Sequence, residues 1–125
     1  MKIHHVALIV SDYERSKKFY TEILDCSVIS EVYREEKNSH KLDLETDEGG
    51  RLELFSFPHP PARQSYPESC GLRHLAFEVQ DVPQKREEFL SKGLDCEEIR
   101  IDEWTGKKFF FTVDPDGLPL EFYES

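Results

Sequence analysis

Disulfide and membrane signals are both missing from the sequence. It has 125 residues but only three cysteines, and no two of them form a CxxC pair. Neither a disulfide framework nor a thiolate zinc site is therefore expected. No apolar run approaches the roughly 20 residues that a membrane-spanning helix requires. We expect no membrane partner, and the cytoplasm is the simplest compartment.

Positive charge is also scarce. The 16 Lys and Arg residues are outnumbered by 26 Asp and Glu residues, which gives a formal net charge of −10. An acidic surface repels phosphate backbones, so no nucleic-acid partner is expected. By contrast, nine Phe and five Tyr residues supply ample apolar surface for a folded core. The composition predicts one compact domain or two small fused modules.

The sequence contains an internal repeat. Three separated pairs of segments align at offsets of 68 to 70 residues: His5–Asp12 with His74–Asp81, Leu24–Cys26 with Leu94–Cys96, and Leu52–Phe55 with Leu120–Tyr123. A nearly constant offset over the whole length indicates two copies of one supersecondary unit. Cys26 and Cys96 occupy equivalent positions in the two copies, so we expect them to pack rather than to act as nucleophiles.

Each copy has the pattern of one helix and four strands. The predicted strands cover about 3–10, 27–34, 40–46 and 51–57 in the first copy and about 72–79, 95–101, 107–113 and 118–124 in the second. Asp12 and Asp81 follow the first strand of each copy, where a helix N-cap belongs. We thus predict an α+β fold of two tandem βαβββ modules. Module 1 covers about 1–57, a proline-rich connector about 58–70, and module 2 about 71–125.

The repeat places one histidine and one glutamate at matching positions of each module. His5 and His74 lie on the first predicted strands, and Glu53 and Glu121 lie on the last ones. Because side chains alternate across a strand, each glutamate faces away from the apolar residues beside it. Two pseudo-symmetric modules would bring the four side chains towards one axis.

Two imidazoles and two carboxylates suit one divalent metal ion such as Ni, Zn, Co, Mn or Fe. A lone strand histidine is more often a structural residue, and a lone strand glutamate more often faces solvent. The coincidence of four such residues at matching offsets favours the metal site over these simpler interpretations.

Four segments resemble the vicinal oxygen chelate superfamily, which includes glyoxalase I, the bleomycin- and fosfomycin-resistance proteins, extradiol dioxygenases and methylmalonyl-CoA epimerase. They are His5–Leu8 followed by Asp12, Phe19–Leu24, Gly71–His74, and Asp114–Gly117 followed by Glu121. The resemblance covers essentially the whole chain. It implies a curled mixed sheet around a metal-binding cup, which a homodimer often completes. Members similar to glyoxalase I hold the ion with residues that correspond to His5, Glu53, His74 and Glu121.

The resemblance implies a metal-dependent lyase or isomerase similar to glyoxalase I (lactoylglutathione lyase). Its small-molecule substrate would carry vicinal oxygens, as a hemithioacetal or 2-oxo compound does, and the metal would stabilise an enediolate. Glu121, with Glu53 as the alternative, would move the proton. Glyoxalase I typically has an Arg and an Asn where this chain has Ile9 and Phe57. The use of glutathione is therefore an open question.

Two other functions remain open. A non-catalytic protein of the bleomycin-resistance type would bind a small molecule or antibiotic in the same cup without an essential metal. An iron-dependent dioxygenase would need an open coordination position for oxygen. The complete set of four ligands favours the lyase over both.

Six further residues are candidates for contact with the substrate. They are Arg34, Phe55, Arg63, Tyr66, Trp104 and Lys107. The arginines and the tyrosine suit an anionic substrate, and the others could shape the pocket. Phe109 and Phe111 alternate on the seventh strand, so we expect them to pack on one face of the sheet. The connector is expected to be ordered, with contact between dimer subunits as an alternative role.

Overall fold

The computed structural model describes all residues from Met1 to Ser125. The chain forms two compact units, Met1–Ala62 and Arg63–Ser125. The first contains β1 (Val6–Val10), α1 (Tyr13–Lys18), β2 (Ser27–Arg34), β3 (Ser39–Glu45) and β4 (Arg51–Ser56). The second contains β5 (Leu75–Val79), α2 (Val82–Ser91), β6 (Arg100–Ile101), β7 (Lys108–Val113) and β8 (Pro119–Glu124). The predicted α+β fold of two βαβββ modules is confirmed.

The two units share one strand topology. The first sheet has the order β1-β4-β3-β2 and the second has the order β5-β8-β7-β6. In each, the first strand runs parallel to the last one and the remaining pairs are antiparallel. The equivalent order confirms that the sequence repeat is a structural repeat.

Three strands differ from the prediction by more than one residue. β1 and β5 begin later because their pairing starts at Val6 with Leu52 and at Leu75 with Leu120, so the histidine before each lies outside the strand. β6 has two residues where seven were predicted. The Arg86 side chain donates to the backbone carbonyls of Cys96 and Glu97. These carbonyls are therefore satisfied by a side chain rather than by a neighbouring strand.

Each sheet buries one face against its helix. In the first unit Leu42, Leu44 and Leu54 are fully buried, and in the second Phe110 and Leu120 are. These residues alternate along their strands with the half-buried residues of the opposite face. The opposite face of each sheet is thus available for polar and aromatic side chains.

Both predicted helix caps are confirmed. The Asp12 Oδ1 accepts a hydrogen bond of 3.1 Å from the Arg15 amide, and the Asp81 Oδ1 accepts one of 2.9 Å from the Gln84 amide. Each bond satisfies an amide that has no partner within its helix. The caps explain why each helix begins directly after the first strand of its unit.

Replacing Asp81 by Ala should lower the free energy of unfolding by about 1 kcal/mol, because the Gln84 amide loses its acceptor. Urea titration followed by circular dichroism measures the change. Glu87→Ala removes the same charge from an exposed position of α2 and should change stability by less than about 0.5 kcal/mol. Equal losses in the two variants would contradict the capping role.

The three cysteines differ in exposure: Cys26 is buried, Cys96 is half-buried and Cys70 is exposed. Burial raises the pKa of the Cys26 thiol to about 11 and also raises the pKa of Cys96. Because the thiolate is the reactive form, neither should react readily at neutral pH. These two environments agree with the predicted packing role.

A thiol reagent such as DTNB should therefore label one cysteine rapidly in the folded protein and all three after denaturation. The Cys70→Ser variant should lose the rapid phase at neutral pH. A rapid phase that survives in this variant would show that Cys26 or Cys96 is more accessible than its burial indicates.

None of the helices in the structure combines the length and the apolar character that crossing a membrane requires.

Candidate metal and substrate site

The first module brings His5 and Glu53 together. Ala7 of β1 lies beside Glu53 of the parallel strand β4, and His5 is two residues before Ala7, on the same side of the chain. The His5 Nε2 is 3.4 Å from the Glu53 Oε2, and the Glu53 side chain is 17% exposed. The flanking Leu52 and Leu54 face the core, as the alternation predicted.

The second module repeats this arrangement in the same register. Ala76 of β5 lies beside Glu121 of β8, and His74 again precedes the alanine by two residues. The His74 Nε2 is 3.1 Å from the Glu121 Oε2, and the Glu121 side chain is 15% exposed. One local geometry thus produces a His–Glu pair in each module.

The donor spacing within each pair fits a divalent metal ion. Imidazole nitrogens and carboxylate oxygens bind such ions at about 2.0–2.2 Å, so two donors at right angles lie about 3 Å apart. The observed 3.1 and 3.4 Å are close to this value, although a plain ion pair has a similar length. No group of three or more His, Cys, Asp or Glu side chains is placed to hold a metal. The structure therefore shows two pairs, and their union into one four-ligand site stays a prediction.

The two glutamates have different neighbours. Asp43 lies beside Glu53 on β3, and the Lys41 Nζ is 3.9 Å from the Glu53 Oε1 and 3.2 Å from the Asp43 Oδ1. Although burial opposes the effect, hydrogen bonds from Ser30 and Lys41 hold the pKa of Asp43 below its usual value. Glu53 is thus part of a charged network on the first sheet.

Glu121 instead lies among aromatic rings. Phe111 of β7 occupies the position beside it, and the His74 ring meets the Phe111 ring edge to face at 5.2 Å. Phe109 and Phe111 share this face of the sheet, as predicted. The aromatic side chains place Glu121 in a more apolar setting than Glu53.

A cavity of about 680 Å³ lies within the second unit, and both His74 and Glu121 line it. Phe109 and Phe111 contribute to its wall, and six connector residues between Arg63 and Ser69 also line it. The side chains of the connector thus help to enclose this cavity. Its size suits a small organic ligand.

Two of the six predicted substrate residues line this cavity, namely Arg63 and Tyr66. The Arg63 guanidinium donates to the backbone carbonyls of Leu72 and Arg73 at 2.8 and 2.9 Å. These carbonyls immediately precede His74, so Arg63 fixes the backbone that carries this histidine. Its role here is structural positioning as well as lining.

The other four predicted substrate residues lie elsewhere. Arg34 and Phe55 belong to the first unit, where the Arg34 guanidinium stacks 5.0 Å from the Phe55 ring centroid. Trp104 and Lys107 lie between β6 and β7 and do not line the cavity. Trp104 is 88% exposed and lies in the turn between these two strands.

Sequence reasoning missed Arg100 and Arg73, which also line the cavity. Arg100 is paired with Phe109 across β6 and β7. The alternation of Phe109 and Phe111 was visible in the sequence, but the register that brings Arg100 over them was not. Arg73 had a sequence signal, because it directly precedes a predicted ligand.

The architecture and the two pairs define a class of protein: tandem βαβββ modules with a candidate chelating pair in each. The chain belongs to the Glyoxalase/Bleomycin resistance protein/Dioxygenase superfamily, whose family model matches residues 2–122. This superfamily includes glyoxalase I and many other enzymes. Its members bind small-molecule substrates and often form dimers.

Several known proteins are similar to this chain over nearly its whole length. Protein YwkD of Bacillus subtilis (strain 168) is 55% identical, with 98% of this chain and 95% of YwkD covered. Protein YaeR of Escherichia coli (strain K12) is 52% identical, with the same coverage of 98% and 95%. The crystal structure of a glyoxalase family protein from Enterococcus faecalis is 47% identical, with a TM-score of 0.92 and coverage of 98% and 97%.

Glyoxalase I and a fosfomycin resistance protein show more distant similarity to this chain. Glyoxalase I of Saccharomyces cerevisiae is 26% identical, and the match covers 95% of this chain and 43% of that protein. A variant of the fosfomycin resistance protein FosX from Listeria monocytogenes has a crystal structure with Mn(II) and 1S,2S-dihydroxypropylphosphonic acid. It is 17% identical, with a TM-score of 0.74 and coverage of 98% and 88%, so this likeness shows the fold alone.

Proposed function

We propose that this protein is a metal-dependent lyase or isomerase, similar to glyoxalase I, that acts on a small substrate with two adjacent oxygens. A hemithioacetal or a 2-oxo compound has this chemistry. The observation that carries the proposal is the pair of His–Glu contacts, which recur at one register in both modules. Each pair joins an imidazole nitrogen and a carboxylate oxygen at a spacing that suits two ligands of one divalent ion.

In this proposal His5, Glu53, His74 and Glu121 bind one divalent ion. Both pairs come from one chain, or one pair comes from each chain of a homodimer. When bound, the ion supplies Lewis-acid stabilisation of negative charge on the substrate oxygens. The membership of the superfamily is consistent with a divalent ion but does not identify it.

Glu121 is the better candidate for the proton-transferring carboxylate. It lines the cavity in the second unit, where a substrate can reach it, and a proton-transfer group must lie within hydrogen-bond reach of the substrate. Glu53 has Lys41 and Asp43 beside it. Glu53 thus suits a holding role, with the proton transferred between neighbouring carbons by Glu121.

The substrate differs from the glutathione adduct in this proposal. Ile9 is 60% exposed, and an aliphatic side chain offers no donor to a carboxylate. Phe57 stacks on Phe55 with 6.4 Å between ring centroids, so neither position offers the polar contacts that glyoxalase I typically has there. A smaller thiol or a thiol-free 2-oxo compound fits these residues better.

Elemental analysis of tag-free protein tests the proposal first. We expect near-stoichiometric Ni, Zn, Co, Mn or Fe in the protein and a clear decrease in the His5→Ala and Glu121→Gln variants. Methylglyoxal should then be assayed with several thiols, and Glu121→Gln should abolish turnover while the circular dichroism spectrum stays unchanged. Protein that neither retains nor takes up a metal would contradict the lyase and leave a non-catalytic binding protein.

A further inference from the structure

The cavity of the second unit is lined by chemically different groups. His74 and Glu121, the pair that the proposed function uses, line it, and so does Arg100. The Phe111 ring contacts both the His74 ring and the Arg100 guanidinium. Phe109 and Phe111 of β7 line the cavity as well. A ligand that occupies it therefore meets a candidate metal pair, aromatic rings and a guanidinium group.

Arg100 is held in place by the two rings. Its guanidinium carbon lies 5.0 Å from the Phe109 ring centroid and 5.5 Å from that of Phe111. Both distances are within the range of cation–π attraction, and stacking on rings leaves the N–H groups at the guanidinium edge to bind an acceptor. The long planar side chain is thus oriented before a ligand arrives.

The ion pair of Arg100 with Glu97 is a weak competitor. The Arg100 Nη2 is 3.7 Å from the Glu97 Oε1, and both side chains are more than half exposed. A charge-assisted hydrogen bond between such groups is normally about 2.7–2.9 Å long. An oxyanion that approaches in the cavity can therefore form the shorter, bidentate contact that Glu97 does not.

Charge in the cavity is balanced although the protein is strongly acidic. It is lined by three arginines and three glutamates: Arg63, Arg73, Arg100, Glu68, Glu97 and Glu121. Arg63 is already bound to two backbone carbonyls. Among these three arginines, Arg100 is the one whose guanidinium lies over aromatic rings.

We propose that Arg100 binds an oxyanion group of the substrate, a carboxylate or a phosphoryl group, while the reacting end of the substrate lies at His74 and Glu121. The assignment of the reacting end rests on the proposed function, whereas the oxyanion site itself does not. Arg100 is then a specificity-determining residue that selects anionic 2-oxo compounds or adducts over neutral ones such as methylglyoxal itself.

Binding of inorganic phosphate to protein freed of metal with a chelator tests the site directly. Phosphate is titrated at constant ionic strength and followed by amide chemical shifts, with acetate in a parallel titration. We expect saturable millimolar binding that shifts the amides of Arg100, Phe109 and Phe111. Saturable binding of one oxyanion but not the other identifies which group the site takes. No saturable binding of either, or shifts confined to other segments, would overturn the proposal.

Variants then assign the residue. Arg100→Met keeps the apolar stem and should weaken binding at least about tenfold, the loss of one charge-assisted contact, while Arg100→Lys should retain part of the affinity. Arg15→Met, an equal charge change at an exposed position on α1, should leave binding unchanged. If Arg73→Met weakens binding and Arg100→Met does not, the assignment to Arg100 is wrong.

Failure of this proposal and failure of the proposed function give different results. If the protein retains metal but Arg100→Met does not change phosphate binding, only the oxyanion site is overturned. If the protein takes up no metal but Arg100→Met weakens phosphate binding, the lyase is overturned and an anion-binding protein remains.

Discussion

Replacing His74 by Ala should weaken binding of a divalent metal ion by more than about 100-fold. Loss of residues that merely support a ligand already costs roughly 10- to 100-fold in affinity, so loss of a direct ligand should cost more. Because His5 occupies the equivalent position in the first module, His5→Ala should have an effect of similar size. Competition with a metal indicator dye measures both affinities.

His59→Asn is the matched control for the removal of an imidazole. His59 is exposed and has a backbone φ of 50°, a conformation that Asn adopts more easily than Ala. The metal affinity of the His59→Asn variant should equal that of the unaltered protein. If His74→Ala binds metal as tightly as this control, the His–Glu contacts are ion pairs and not ligands.

The number of ions bound separates one shared site from two independent ones. If both pairs hold the same ion, the protein binds one ion per four ligands, and either single variant lowers the affinity for it. If each pair holds its own ion, the protein binds two ions, and each variant retains one at unchanged affinity. Elemental analysis with sedimentation velocity gives the stoichiometry per chain and the oligomeric state together.

The modules could be predicted because their signals are local. The bounds of β2 agree with the predicted 27–34, and both helix caps form within four residues of the chain. The His–Glu pairs were also predictable in part, since the repeat offset fixed equivalent positions. The close approach of each histidine to its glutamate depends on the parallel register of the first and last strands. This register is seen in the structure and could not be read from the offset.

The cavity could not be predicted because it depends on side-chain contacts that no local sequence pattern signals. Arg86 of α2 donates to the backbone carbonyls of residues ten and eleven positions later, and the strand that follows them has only two residues. Arg100 in this short strand pairs with Phe109 of β7. Similarly, Arg63 reaches backbone carbonyls nine and ten positions later, and no local pattern in the connector signals this contact.

Trp104 shows the limit of residue type as a guide. A lone tryptophan near a predicted strand suggested a wall of the pocket, yet its side chain is 88% exposed. The Trp104 amide donates to the Asp102 Oδ1 at 2.8 Å, which closes a tight turn between β6 and β7. Trp104 thus belongs to a turn and does not line the cavity, which its residue type did not indicate.

Replacing Phe110 by Ala should destabilise the protein by about 3–5 kcal/mol, the usual cost of truncating a buried phenylalanine. Phe110 is fully buried on the core face of β7. Its ring lies 5.2 Å from that of Phe122 and 6.1 Å from that of Phe89, so it joins β7 to both β8 and α2. The Phe110→Ala substitution leaves a hole here and removes contacts with both α2 and β8.

The effect is large compared with total stability, since domains of this kind are stable by only about 5–15 kcal/mol. Urea titration followed by circular dichroism measures the loss, and hydrogen exchange should locate it in α2, β7 and β8. Phe110→Leu keeps much of the volume and should recover more than half of the lost stability.

Phe109→Ala is the internal control, because Phe109 is the preceding residue of β7 and faces the opposite side of the sheet. Phe109 is half-buried beside the cavity and stacks with Arg100 and Tyr123. Truncation of Phe109 should cost less than half as much stability as truncation of Phe110. It should also weaken phosphate binding, because Arg100 loses one of the two rings over which its guanidinium lies. Equal destabilisation by the two variants would mean that the core lies on both faces of β7, and the open face that carries Glu121 would then need to be reassigned.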